Sequence, residues 1–142
     1  MASKYGQFIY FTTENGKVLK YDIRSKEWTK IGETIDGRWL NPVLAADGCI
    51  YAPPYLSDKI LKIDSSDIDA SNYDKIDLIQ TPSLPSNLKY SSSVLSGDKK
   101  QIYFIPNGAK QILRFNVETQ LSDLVGDEYT YDKLPGNGQD WY

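Results

Sequence analysis

Three stretches of this chain repeat one another. Phe8-Ile9-Tyr10-Phe11-Thr12, Cys49-Ile50-Tyr51-Ala52-Pro53 and Gln101-Ile102-Tyr103-Phe104-Ile105 each lead, nine or ten residues after the isoleucine, to a second matching segment. Those segments are Val18-Leu19-Lys20-Tyr21-Asp22, Ile60-Leu61-Lys62-Ile63-Asp64 and Ile112-Leu113-Arg114-Phe115-Asn116. Recurrence every 40 to 50 residues or so constrains a fold more than any local motif, because one unit cannot bury its apolar face alone and must stack on its neighbours. The spacing is 41 residues from Ile9 to Ile50 and 52 from Ile50 to Ile102. The 142 residues therefore read as one domain, with repeats of approximately 1–40, 41–89 and 90–142.

Within a repeat the apolar residues alternate, which is the period of a strand with one face buried. Aromatic residues make up 13% of the chain, eleven of them Tyr, and gather with β-branched residues in short runs, so strands are predicted and little or no helix. The hairpins joining the two matched strands are rich in turn formers: Thr13-Glu14-Asn15-Gly16, Pro54-Tyr55-Leu56-Ser57-Asp58 and Asn107-Gly108-Ala109-Lys110. Asp22, Asp64 and Asn116 close the second strand, where a short acid or amide caps the next turn by accepting backbone N–H groups. A third strand follows at Trp28-Thr29-Lys30-Ile31, Ile76-Asp77-Leu78-Ile79 and Leu121-Ser122-Asp123-Leu124-Val125. Next comes a polar connection ending in an aromatic, Trp39, Tyr90 or Trp141, and after the first two of these a further strand, Pro42-Val43-Leu44-Ala45-Ala46 or Ser92-Ser93-Val94-Leu95-Ser96. Residues 2–7 fall at the corresponding place before the first repeat.

This arrangement resembles the β-propeller repeats of the YVTN, NHL and kelch groups, in which an Ile-Tyr strand and a Leu-Lys-Ile-Asp strand form the middle of a four-stranded blade. The resemblance implies an all-β fold of antiparallel blades, three per chain. The paired glycines of a kelch blade and the Asp box of sialidases are absent. Closed propellers use about four to eight blades, so three make a half or partial ring. The expectation is completion either by a second copy, giving a six-bladed homodimer, or by further blades of a longer chain. A directly following copy would continue the spacing, its Ile9 falling 49 residues after Ile102.

Much chemistry is excluded by composition. With no His, the Ser-His-Asp and Cys-His catalytic arrangements and His-based metal sites cannot be built. The lone Cys49 lies in a strand pattern and reads as a small buried residue. Candidate calcium ligands Asp58, Asp64, Asp67, Asp69, Asn72 and Asp74 do not follow the EF-hand spacing, so no metal and no cofactor are expected. Pro135-Gly136-Asn137-Gly138 lacks the strand and helix of a phosphate loop, and Thr81-Pro82-Ser83-Leu84-Pro85-Ser86 reads as a loop between repeats. A net charge of -3 with sixteen basic residues scattered among nineteen acidic ones gives no nucleic-acid or anionic-membrane footprint. Met1-Ala2-Ser3-Lys4-Tyr5 opens no apolar signal segment, and no apolar run is long enough to span a membrane. The simplest expectation is a cytoplasmic, intracellular protein.

The resemblance also locates a binding surface. In propellers the loop entering the innermost strand and the loop between the second and third strands open on one face around the channel. That places Arg38, Trp39, Tyr55, Lys89, Tyr90, Asn107, Asp140 and Trp141 around one mouth, a concave setting suited to a ligand or partner. The competing reading is that the aromatics wedge between neighbouring blades, while Tyr10, Tyr51 and Tyr103 are structural. The function expected is a non-catalytic binding or scaffold module for protein partners. Alternatives are a carbohydrate-binding lectin, from the Trp and Tyr rings, and a calcium-dependent propeller hydrolase or lactonase.

Overall fold

The computed structural model describes residues 2–4, 7–64, 75–84 and 89–128, the first three by backbone alone. Among the described residues twelve strands form three antiparallel sheets of four. The first holds β1 (Ala2–Lys4), β2 (Phe8–Thr12), β3 (Val18–Asp22) and β4 (Glu27–Ile31). The second holds β5 (Val43–Leu44), β6 (Ile50–Ala52), β7 (Lys59–Asp64) and β8 (Lys75–Gln80). The third holds β9 (Tyr90–Leu95), β10 (Gln101–Pro106), β11 (Ile112–Asn116) and β12 (Leu121–Val125). Each is a meander in chain order, and no helix occurs among the described residues. Because β1 touches β5 and β5 touches β9, the first strands converge while the sheets fan outward from them.

Strand alternation decides which side chains enter the two cores. One face of each sheet carries the repeat's isoleucine, the other its tyrosine. Tyr10, Val18 and Ile31 from the first sheet pack against Ile50, Ala52, Leu61 and Ile63 of the second. The opposite face of the second sheet sends Cys49, Tyr51 and Ile60 against Ile102, Phe104, Leu113 and Phe115 of the third. The tyrosine face of one sheet thus receives the isoleucine face of the next, twice. Burying a side chain of this size is worth about 1.5–3 kcal/mol; Ile50, Ile60, Leu61, Ile63, Ile102, Leu113 and both phenylalanines are completely enclosed.

The turns behave as their residue types demand. Asp22 Oδ1 accepts the N–H groups of Arg24 at 2.8 Å and Ser25 at 3.4 Å, and Asn116 Oδ1 those of Glu118 at 2.9 Å and Thr119 at 3.1 Å. Asp47 and Asp98 do the same for Cys49 and Lys100. Gly16 has φ of +73°, and a Cβ there would lie 1.8 Å from the Ile35 carbonyl oxygen. Only glycine allows that approach, through which Ile35 N–H donates to Gly16 O at 2.9 Å. The strand predicted over residues 42–46 is shorter than expected. Pro42 offers no N–H, and Ala45 N–H turns to the Cys49 carbonyl, leaving Val43–Leu44.

Candidate binding face

Two kinds of loop meet at one end of the molecule. The backbone of Arg38, in the connection entering the second sheet, exchanges hydrogen bonds with Tyr55 and Leu56 of the β6–β7 hairpin at 3.0–3.2 Å. Lys89, at the same repeat phase before the third sheet, donates its N–H to Tyr55 O at 3.0 Å and accepts from Asn107 at 2.8 Å and Ala109 at 3.2 Å. A continuous backbone rail therefore joins Arg38, Tyr55, Lys89 and Asn107. Of the eight residues predicted at the mouth, six lie on or beside this rail. Asp140 and Trp141 lie outside the described residues, as do Asp67, Asp69, Asn72, Asp74 and Pro135-Gly136-Asn137-Gly138.

The six do not all face outward. Trp39 is 1% exposed: its ring sits in the first core, its indole N–H donates to Lys59 O at 2.8 Å, and its backbone bridges Pro54. Tyr90 repeats this one sheet later, 1% exposed, opposite Pro106, its hydroxyl donating to Gln111 O at 2.9 Å. Burial pushes its phenol up to about 12. Both rings occupy the wedge position between neighbouring sheets. Lys89 is also buried, its ammonium bonded to Ser57 O at 3.0 Å and to the Asp58 carboxylate.

What remains open is a cleft of about 510 Å³ lined by Glu14, Asn15, Thr34, Ile35, Asp36, Gly37, Arg38 and Leu56. Arg38 lines it. Nη2 pairs with Glu14 Oε1 at 2.8 Å, the guanidinium lies 5.3 Å from the centroid of the Tyr55 ring, and Nε is buried without an acceptor among the described residues. The cation at this phase thus binds the hairpin acid of the preceding sheet both times, Arg38 to Glu14 and Lys89 to Asp58. Glu14, Asp36 and Leu56 were not among the residues expected at the mouth; Glu14 and Leu56 lie in hairpins of different length, which blurs their correspondence.

Cys49 is 5% exposed, with its thiol pushed up to about 12 by burial and by the nearby Asp47 and Asp64 carboxylates. Tyr51 is raised still further by burial and by its 2.6 Å bond to Asp47. Neither is poised as a nucleophile or base. Among the described residues no three Cys, Asp or Glu side chains converge as a metal site, and no helix is long and apolar enough to cross a membrane.

Four-stranded meanders fanning from converged first strands define a β-propeller, of which this chain supplies three blades. Solved propeller proteins share the arrangement. Virginiamycin B lyase from Staphylococcus aureus superposes with a TM-score of 0.72 at 14% identity, over 91% of this chain and 41% of that one. A catalytically inactive variant of that lyase, histidine replaced by alanine, with quinupristin, gives 0.68 at 14% identity over 87% and 39%. An auxiliary nutrient binding protein from Bacteroides thetaiotaomicron gives 0.57 at 16% identity over 82% and 32%. The chain thus spans about two fifths of the lyase. No family model and no curated protein matches it.

Proposed function

We propose that this chain is a non-catalytic propeller module that binds an extended segment of a partner protein across the Arg38 face. The observation that carries this reading is the buried Arg38 Nε–H, without an acceptor, beside an open cleft. A buried donor left unpaired costs about 1–3 kcal/mol, so a carbonyl or carboxylate oxygen brought there is favoured. Leu56, 44% exposed, and the Tyr55 ring supply apolar contact beside it. Non-catalytic character is supported by the histidine count of zero, which leaves these 142 residues without the commonest general base.

For the sugar-binding alternative, Trp39 and Tyr90, each 1% exposed, offer no face for stacking, which leaves Trp141, outside the described residues, to carry it. The calcium-dependent alternative turns on Asp67, Asp69, Asn72 and Asp74, which lie outside the described residues. The test is a displayed-peptide selection against the whole chain, followed by calorimetry and amide chemical-shift mapping. Selected peptides should shift Glu14, Arg38, Leu56 and Asn107, and Arg38→Ala should weaken them at least tenfold. Binders that map elsewhere, or binding confined to a glycan array, would overturn the proposal.

A further inference from the structure

The ring-forming contact is made twice inside the chain, and its two unmatched halves stand open at the ends. Strand register defines the isoleucine face as Ile50, Ile63 and Ile76 with Ala52 and Leu61 in the second blade, and Ile102 and Phe115 with Phe104 and Leu113 in the third. The first blade has Ile9, Tyr21 and Trp28 with Phe11 and Leu19 at the same places. Every counterpart named on β6, β7, β10 and β11 is at most 1% exposed, whereas Ile9, Phe11, Leu19 and Tyr21 of the first blade are only half-buried. At the outer strand Ile76 and Ser122 are half-buried, yet Trp28 in the same place is 61% exposed, its ring against Phe11 and Tyr21 at centroid distances of 5.1 and 4.4 Å. The equivalence extends to the turns. Ile23 and Val117 donate equivalent N–H bonds to Gln7 and Lys100, but Val117 is buried and Ile23 is 42% exposed.

The tyrosine face of the third blade is open in the same way. Tyr103, Arg114 and Asp123 stand where Tyr10, Lys20 and Thr29, or Tyr51, Lys62 and Asp77, stand in the earlier blades. Around them Val94, Ile112 and Leu121 are 51%, 37% and 70% exposed. The Arg114–Asp123 ion pair at 2.6 Å does not bar burial, since this row already carries a cation under a neighbouring blade. Lys20 is 8% exposed with its ammonium 4.2 Å from the Phe8 centroid, and Lys62 reaches Gln120 of the next blade at 3.1 Å.

We infer that the occupant of both open faces is a second copy of this chain, the isoleucine face of one first blade seated on the tyrosine face of the other third blade, twice, to close six blades. Each end face matches, row for row, a surface already buried against the other kind within the chain, and six blades fall in the range that closes. Charge agrees. Gln120, with φ of +61°, bonds Tyr51 while Tyr51 bonds Asp47; Lys26, also at φ of +61°, would come in a partner copy to Tyr103 and Asp98, cation to acid. Exposed apolar side chains on unpaired sheet faces are the usual mark of such association. The closed ring would also complete the mouth that Arg38 and Lys89 begin. This inference goes beyond the binding proposal and does not rest on it.

Sedimentation and light scattering of the whole chain test it, with circular dichroism to confirm folding of each variant. The expected mass is twice the 16.1 kDa of one chain. Trp28→Glu and Ile112→Glu, at exposed sites on opposite faces, should each give folded single chains. Mixing the two should restore a dimer at least tenfold weaker than the parent, because one intact face of each kind remains. Dimers that survive Ile112→Glu, a cooperatively melting single-chain parent, open-ended oligomers, or single-chain mass because other blades occupy these faces in a longer protein would each overturn the inference.

Discussion

Replacing Trp39 by alanine separates the structural role of the ring from a ligand-facing one. The indole is enclosed in the first core and satisfies the Lys59 carbonyl at 2.8 Å. Truncating a buried Trp to Ala costs about 3–5 kcal/mol through lost transfer energy and the cavity left behind. Trp39→Phe keeps most of the apolar contact but leaves the Lys59 carbonyl unpaired, about 1–3 kcal/mol. Against a stability of about 5–15 kcal/mol for a domain, the alanine variant is barely folded and the phenylalanine variant clearly weakened. In urea, with a slope of about 1–3 kcal/mol/M, Trp39→Ala should lower the midpoint by about 2 M and Trp39→Phe by about half that, at one fixed protein concentration. Tyr55→Ala, on the half-open ring stacked near Arg38, should move it far less. A Trp39→Ala midpoint within about 0.3 M of the parent would refute the wedge role.

Three further outcomes follow from particular contacts. Gly16→Ala should cost at least about 1–3 kcal/mol in chemical unfolding, because alanine disfavours a φ of +73° and its Cβ collides with Ile35 O; an unchanged midpoint would contradict the Gly16–Ile35 clamp. Tyr90, raised from an ordinary phenol value near 10 to about 12, favours the folded state fully below pH 10 and loses that contribution as pH rises toward 12. Stability should therefore fall over that window, and Tyr90→Phe should flatten the fall; an identical alkaline profile would count against the buried neutral phenol. Cys49, with its thiol held near 12 and 5% exposed, should resist a thiol reagent at pH 8 in the folded chain and react promptly in urea; rapid native labelling would show the second core to be open.

Strand positions were legible because alternation and turn chemistry agree: Ile9/Tyr10, Ile50/Tyr51 and Ile102/Tyr103 fall on adjacent, oppositely facing places in β2, β6 and β10. The capping roles of Asp22 and Asn116 were readable for the same reason, since a short acceptor closing a strand has few other uses there. The orientation of Trp39 and Tyr90 was not. An aromatic at that phase suits both a wedge and a ligand platform, and only the carbonyls of Lys59 and Gln111, brought near by folding, select the wedge. That Glu14 and Asp58 would pair with Arg38 and Lys89 was hidden by a length change: Glu14 sits in a tight Asn-Gly hairpin and Asp58, named as a candidate calcium ligand, in a wider one. The shortness of β5 follows from competition by its own turn.

Among the described residues every sheet consists of strands that are neighbours in the sequence. A whole wedge of the structure is therefore specified by one uninterrupted stretch of polypeptide. Such a stretch can be added or removed as a single piece without rethreading the remainder, so the number of blades is set by how many such pieces follow one another.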